Sequence, residues 1–244
     1  MKSKILVIGD SCMDVHVYCK SERLCPDKPV PVLEVINKVE NPGMARNVYE
    51  NLKSLKANVD IFDNENWCDV TKTRYIHESS NHMFFRLDSK NKIDRIKKRD
   101  IEYTYDHIVI SDYNKGFLSE DDIEEICSNH KSVFLDSKKL LGPWAEKASF
   151  IKINDHEYRR SERYITERIA ERLIMTAGKD GCYYKGQNYP VKELNVIDVS
   201  GAGDAFFAGL VFKYAIKKDI ISAIKFANKC SSKVVQERGV TTIQ

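Results

Sequence analysis

The 244 residues are 42% hydrophobic and carry 39 basic against 36 acidic side chains, enough apolar material for one sizeable core in one large domain or two small ones. The net charge of +3 is too small and too dispersed for a nucleic-acid footprint, and no apolar run approaches membrane-spanning length. The seven cysteines form no C-x-x-C pair and the six histidines no H-E-x-x-H spacing, so zinc, redox and histidine-based metal motifs are missing. With no apolar signal segment after Met1, reduced thiols in a cytoplasm are the expectation. The densest basic run, Arg95-Ile96-Lys97-Lys98-Arg99, is short, lacks interleaved aromatics and reads as a solvated turn.

Ile5-Leu6-Val7-Ile8 is a continuous, β-branched apolar run ended by Gly9-Asp10, the pattern of a parallel strand buried on both faces. Asp10 and Asp14 follow its C-terminal end, where open α/β sheets collect ligands; they either meet a polar substrate or solvate a loop. Between positions 15 and 39 the apolar residues alternate loosely around Pro26, Pro29 and Pro31. Prolines at this density exclude a helix and a central strand, leaving edge strands or a small β flap. Asn41-Pro42-Gly43 precedes Ala45, Val48, Leu52 and Leu55 at helical spacing, a second glycine-led helix start. Asn47 lies in its first turns, where its amide serves sugar hydroxyls or a local backbone bond.

Val59-Asp60-Ile61-Phe62 reads as a strand, and the runs at Tyr75-Ile76 and Met83-Phe84-Phe85-Arg86-Leu87 as short strands that pair with the flap as a lid. Ile108-Val109-Ile110-Ser111 and Val133-Phe134-Leu135-Asp136 are further buried strands, and Ser119 with acidic residues after it caps a helix. Phe150-Ile151-Lys152-Ile153 and Leu173-Ile174-Met175-Thr176 continue the series, with Ile165, Ile169 and Leu173 marking a short charged helix between them. Cys182-Tyr183-Tyr184 and Tyr189-Pro190-Val191 suggest a hairpin, and Ile220, Ile224, Ala227, Cys230 and Val234 a closing helix. Alternating strands and helices make an α/β sheet with mostly parallel strands and one active edge.

Ahead of that last helix lies Asp198-Val199-Ser200-Gly201-Ala202-Gly203-Asp204, running into the apolar Ala205-Phe206-Phe207-Ala208. Glycines 201 and 203 let backbone N–H groups converge at a helix start, where the dipole adds positive potential: a corner suited to an anion. Asp204 sets a carboxylate beside that anion, an arrangement that makes sense for a base. The two readings are phosphoryl transfer to a hydroxyl, or an ordinary strand-to-helix turn with an acidic first turn.

This stretch resembles the second signature of the ribokinase (PfkB) family of carbohydrate kinases. Asn154-Asp155-His156-Glu157 is similar to the family's N-x-x-E motif, Thr176-Ala177-Gly178-Lys179-Asp180-Gly181 to its T-x-G-x-x-G nucleotide turn, and Phe226-Ala227-Asn228 to the segment beside the adenine. Within the family, the segments 9–14, 23–32 with its Pro29-Val30-Pro31-Val32, 41–48, 85–88, 111–116 and 135–138 look like the heptose-7-phosphate kinase half of bacterial bifunctional heptose kinase and adenylyltransferases.

The resemblance implies a three-layer α/β sandwich over 1–244, with a mostly parallel central sheet and a β lid from about 15–40 and 73–90. It implies ATP and Mg²⁺, with K⁺ as a further ion. Asp204 would be the base, and the N–H groups of Gly201, Ala202 and Gly203 would stabilise the transferred phosphoryl. Thr176, Gly178, Gly181 and Asn228 would meet ATP; Asn154 and Glu157 would hold Mg²⁺ through water, or simply cap a helix; Asp198 and the loop near Gly239 would hold a monovalent cation. For the sugar it points to Asp10, Asp14, Gly43 and Asn47, and for a substrate phosphate to Arg86, Lys115 and Lys138, although solvation of the surface is the simpler explanation for any one of these three cations. A homodimer through the lid and a separate nucleotidyltransferase for any activated sugar follow from the same likeness. Three departures stand out: Met44 and Arg46 replace smaller residues around Gly43, the chain is shortened near 64–71 and 159–166, and no H-x-G-H pattern occurs. An unphosphorylated sugar or nucleoside as acceptor, and a silent nucleotide- or sugar-binding relative, are the alternatives.

Overall fold

The computed structural model describes residues 3–97 and 101–243; Lys98 and Arg99 of the basic run lie outside the described residues. The N-terminal apolar run becomes β1 (Lys4–Gly9). Similar runs form β4 (Asn58–Asp63), β7 (His107–Asp112), β8 (Val133–Ser137), β9 (Phe150–Asn154) and β10 (Leu173–Thr176), all in parallel register in the order β10-β9-β8-β7-β1-β4. The antiparallel β11 (Cys182–Tyr184) and β12 (Gln187–Tyr189) extend the sheet beyond β10, the hairpin ending before Pro190.

Alternation along each strand divides one apolar run between two cores. Ile5, Val7, Val109 and Ile174 face α1 (Ala45–Ser54), α5 (Ala202–Lys217) and α6 (Ile220–Val234), while Leu6, Ile8, Ile108 and Leu135 face α2 (Glu120–Asn129) and the turn at Trp144. Helix, sheet and helix make the three layers. Apart from Asp204, the first half of α5 is apolar all round, and Ala205, Phe206, Phe207, Ala208, Leu210 and Val211 are all buried, which fixes this helix in the interior and its N-terminus against the sheet edge. Ser119 caps α2 with a reciprocal bond to Asp122. The charged helix shrinks to α4 (Glu167–Ala170), where Ile169 is buried, and Leu173 belongs to β10. Among the described residues no helix is long and apolar enough to cross a membrane.

A second sheet has the order β3-β2-β5-β6, built from β2 (Ser11–Lys20), β3 (Glu34–Met44), β5 (Thr71–His77) and β6 (Met83–Asp88). It starts earlier than the expected lid, at Ser11 and Thr71, and β3 runs on to Met44, so its strands reach the edge of the main sheet. β2 lies inside this sheet rather than at an edge; the prolines fall in the connection, where Leu24 and Pro31 form an isolated bridge. One face carries Asp14, Lys72 and Asp88 in a row by register. The other gathers Val15, Val17, Met13 and Tyr75, with Val35, Phe85 and Leu87 exposed beside them.

Candidate active site

α5 opens at Gly201, whose φ of 78° is left-handed. A Cβ there would stand 2.9 Å from Asn47 Nδ2, so both the conformation and the space call for glycine. Ala202 N–H turns back to Val199 O at 3.2 Å, which makes it the least available of the three amides in this corner. Asp204 follows within the first turn and is buried. Its Oδ2 accepts from Asn47 Nδ2 at 2.8 Å and its Oδ1 from the Tyr113 hydroxyl at 2.6 Å. Burial raises the Asp204 carboxyl above its ordinary value, and the bonds from Tyr113 and Asn47 pull partly the other way. Burial, and then the charge of Asp204, push the Tyr113 phenol well up, so it acts as a donor. A carboxylate of raised basicity, held by two donors at the positive end of a helix, is equipped to take a proton beside an anion.

Asn47 comes from α1, whose start faces that of α5. Its orientation is set from behind: Asn51 Nδ2 donates to Asn47 Oδ1 at 2.9 Å, and Asn51 Oδ1 accepts from Ile243 N–H at 3.0 Å. That leaves the Asn47 NH₂ aimed at Asp204. Gly43 lets the backbone lie against the lid, since a Cβ would stand 2.2 Å from Asp14 Oδ2 and 2.8 Å from Cys12 Sγ. Met44 then takes φ 59°, ψ −128° with its side chain buried, a strained backbone for a residue with a Cβ. Arg46 is engaged elsewhere: its guanidinium holds Asp63 at 2.7 and 3.2 Å and lies 4.1 Å from the Trp67 ring centroid.

The carboxylates along this edge, with Asp14 inside β2 rather than in a loop after β1, divide into holders and candidates. Asp10 is fully buried, with Oδ2 accepting from Tyr113 N–H at 2.8 Å and Oδ1 from Phe117 N–H at 3.1 Å; burial, then Asp112, raise its carboxyl. It anchors the 113–117 loop that carries Tyr113. Asp14 Oδ1 pairs with Arg74 at 2.5 Å. Asp136 takes Lys152 at 2.7 Å and Lys138 at 3.5 Å, and Lys138 also reaches Glu157 at 2.5 Å. Burial opposes ionisation of Asp136, but Lys138 and Lys152 together hold its carboxyl below the usual range. Lys152 Nζ is 3.2 Å from where a Gly203 Cβ would sit, so a buried cation stands at the α5 corner. Of the other expected phosphate contacts, Lys115 is exposed on the loop and Arg86 pairs with Asp88 at 2.8 Å on an edge strand.

After β9, Asn154 caps α3 (Asp155–Ser161): its Oδ1 accepts from Glu157 N–H at 2.8 Å while Glu157 Oε2 accepts from Asn154 N–H at 2.9 Å. The capping box is therefore formed, with the other Glu157 oxygen turned to Lys138. Thr176 Oγ1 donates to Ile153 O at 3.3 Å, and Gly178 and Gly181 shape the turn after β10, closed by Ala177 N–H on Gly181 O at 2.8 Å. Asn228 Nδ2 donates to Tyr189 O at 2.8 Å, tying α6 to the hairpin. Asp198 accepts from Ser200 N–H at 2.8 Å and Gly239 N–H at 3.0 Å, so the two expected cation-site segments do meet. Sequence reasoning gave no role to Tyr113, Lys72, Arg74 or Lys152. The period-two pattern Lys72-Thr73-Arg74 was the available signal for two of them.

Residues 70–244 match the model of the pfkB family of carbohydrate kinases. The bifunctional protein HldE of Helicobacter pylori strain J99 is 32% identical across 97% of this chain, and the chain spans 63% of that relative's length. Ribokinase from Arabidopsis thaliana, solved with ribose and ATP, superposes with a TM-score of 0.72 at 13% identity, over 98% of this chain and 94% of that one. Phosphofructokinase-2 from Escherichia coli, solved with potassium, gives 0.72 at 13% identity over 100% and 96%. The structural likenesses establish a ribokinase-like fold, and with the family match they lead to one conclusion: the chain belongs to the pfkB family of carbohydrate kinases.

Proposed function

We propose that the protein transfers the γ-phosphoryl group of ATP to a hydroxyl, the anomeric one, of a sugar phosphate such as D-glycero-D-manno-heptose 7-phosphate. The observation that carries the kinase reading is the buried Asp204 at the α5 corner, gripped by Asn47 and Tyr113. The heptose reading rests on the likeness to HldE.

In this mechanism Asp204 takes the proton of the attacking hydroxyl as its oxygen bonds to the γ-phosphorus, and the bond from that phosphorus to the β–γ bridging oxygen breaks, releasing ADP. Asn47 and Tyr113 keep the carboxylate ionised and oriented. The helix start and Lys152 offset charge on the phosphoryl group, the main demand of such a transfer. Mg²⁺ would neutralise phosphate charge. The carboxylates of Glu157 and Asp136, which already draw Lys138, are hard donors suited to hold it through water. Asp198 has lone pairs beyond its two backbone bonds, which suits a monovalent cation such as K⁺ near Gly239. Gly178, Gly181 and Thr176 would lie along ATP with Asn228 beyond them, and Asp14 would meet the sugar. The cytoplasm is the expected compartment, in keeping with seven free cysteines. The apolar outer face of the lid, with Val35, Phe85 and Leu87 exposed, supports a homodimer, which light scattering on the purified chain would weigh.

The test is ADP release with a panel of sugars, each with and without a terminal phosphate, followed by assignment of the hydroxyl that is modified. Release should require sugar and Mg²⁺ and fall by about 10²–10⁴-fold in Asp204→Asn. The base must be ionised and its proton affinity is raised, so the rate should fall with decreasing pH above the ordinary carboxylate range. ATP binding without turnover across the panel would leave the silent relative as the better reading.

A further inference from the structure

Lys72 lies on β5 in register with Asp14 of β2 on one side and Asp88 of β6 on the other. Two carboxylates thus flank it in the ladder, yet neither serves it: Asp14 is held by Arg74 and Asp88 by Arg86. Among the described residues no carboxylate stands within ion-pair distance of its ammonium. The residue is only 9% exposed, and the neighbour of Nζ is the face of Tyr113, 4.8 Å from the ring centroid. Lysines this buried ordinarily have a counter-ion, because an ammonium loses its hydration there, and a ring face offsets only part of that loss.

Tyr113 also locates the ammonium relative to the chemistry. Its hydroxyl is on Asp204 and its ring is under Lys72. Base and cation are therefore separated by one tyrosine side chain, a span that suits a sugar with its reacting hydroxyl at one end and a charged group at the other. The other cations nearby are already engaged: Lys138 by Glu157 and Asp136, Lys152 by Asp136.

We propose that Lys72 is the specificity residue for an anionic acceptor, receiving a phosphate monoester that the sugar carries away from the hydroxyl being phosphorylated. This assignment rests on the kinase reading above and gives its substrate class a physical origin. The phosphates of ATP are the other source of the same chemistry, and the experiment separates the two.

The full chain and its Lys72→Met and Lys72→Arg variants are assayed with heptose 7-phosphate and with the same heptose unphosphorylated, varying sugar and ATP independently. Calorimetric titration of each sugar into the protein adds a readout free of turnover, and thermal melting checks that each variant is folded. Wild type should prefer the phosphorylated sugar. Lys72→Met should lose about 10-fold or more of that preference, through KM and through binding rather than kcat. Lys72→Arg, which keeps the charge, should recover part of it and stays informative if the methionine variant does not fold. A preference that survives in Lys72→Met overturns the assignment while leaving the sugar-phosphate reading intact. A rise in KM for ATP with both sugars instead assigns the cation to the nucleotide. Wild type that shows no preference for the phosphorylated sugar overturns both readings together.

Discussion

Two helix starts meet at the Asn47–Asp204 hydrogen bond, and they are built in opposite ways. α5 begins on Gly201 in a left-handed conformation that glycine holds freely, and its first turn leaves room for Asn47 to approach. α1 begins after Met44, which adopts a positive φ of 59° while its side chain fills a buried position. At the first start the absent side chain makes room for the Asn47 amide, and at the second the side chain itself fills the space. Backbone strain is tolerated at α1 because the buried thioether offsets it, whereas at α5 glycine carries no strain and the Asn47 amide takes the space a side chain would need.

Met44 offers the largest way to break this contrast. Met44→Ala removes the packing and keeps the Cβ, and should cost about 2–5 kcal/mol in chemical denaturation. Met44→Gly removes the same packing and relieves the backbone, so it should be the more stable of the two by about 1 kcal/mol. The reverse order would mean that the φ of 59° carries no strain. Next in size is Gly201→Ala. Its methyl would push the Asn47 amide off Asp204, and kcat should fall about 100-fold as the base loses its orientation; wild-type initial rates from a folded variant would sink the idea that Asn47 sets the base. The smallest effect on activity belongs to Arg46→Ala, which leaves the largely buried Asp63 carboxylate unpaired and gives up the Trp67 ring, at about 1–3 kcal/mol of stability. The sugar kcat/KM should change by less than about 3-fold, as for other substitutions away from a site. A tenfold loss would place Arg46 in the pocket after all.

Much of the fold was legible because its signals are local. Ile5-Leu6-Val7-Ile8 and its successors carry β-branched apolar runs too short for helices, and Ser119 and Gly201 mark helix starts by their own chemistry. The prolines at 26, 29 and 31 identify the excursion from the main sheet and leave open whether they sit on edge strands; they occupy the connection between β2 and β3. Asn154 and Glu157 show a limit of a different kind. A capping box and an acidic motif use the same two residue types at the same spacing, and the structure has the box formed with one carboxylate oxygen facing Lys138.

The candidate site was legible only where its residues announce themselves along the chain. Asp204, Gly201 and Asn47 lie in glycine-led turns, and Asp10 and Asp14 follow the apolar run of β1, Asp14 within β2. Tyr113 gave no comparable signal and Lys72 only the period-two pattern Lys72-Thr73-Arg74, since a loop tyrosine and a lysine at the end of a polar segment are common surface residues. Asp10, bonding to the Tyr113 and Phe117 amides from a strand more than a hundred positions earlier, moves from candidate ligand to anchor for the same reason.

By itself, the order of residues determined the layered α/β architecture, the family and the carboxylate at the α5 corner, because period, caps and glycine turns act within a few residues. Only the tertiary structure decided which partners hold that carboxylate, that Arg46 turns to Asp63, and that Lys72 has no carboxylate partner among the described residues. Those outcomes depend on cross-strand register and on which carboxylate each cation reaches first, and both are set by segments far apart in sequence.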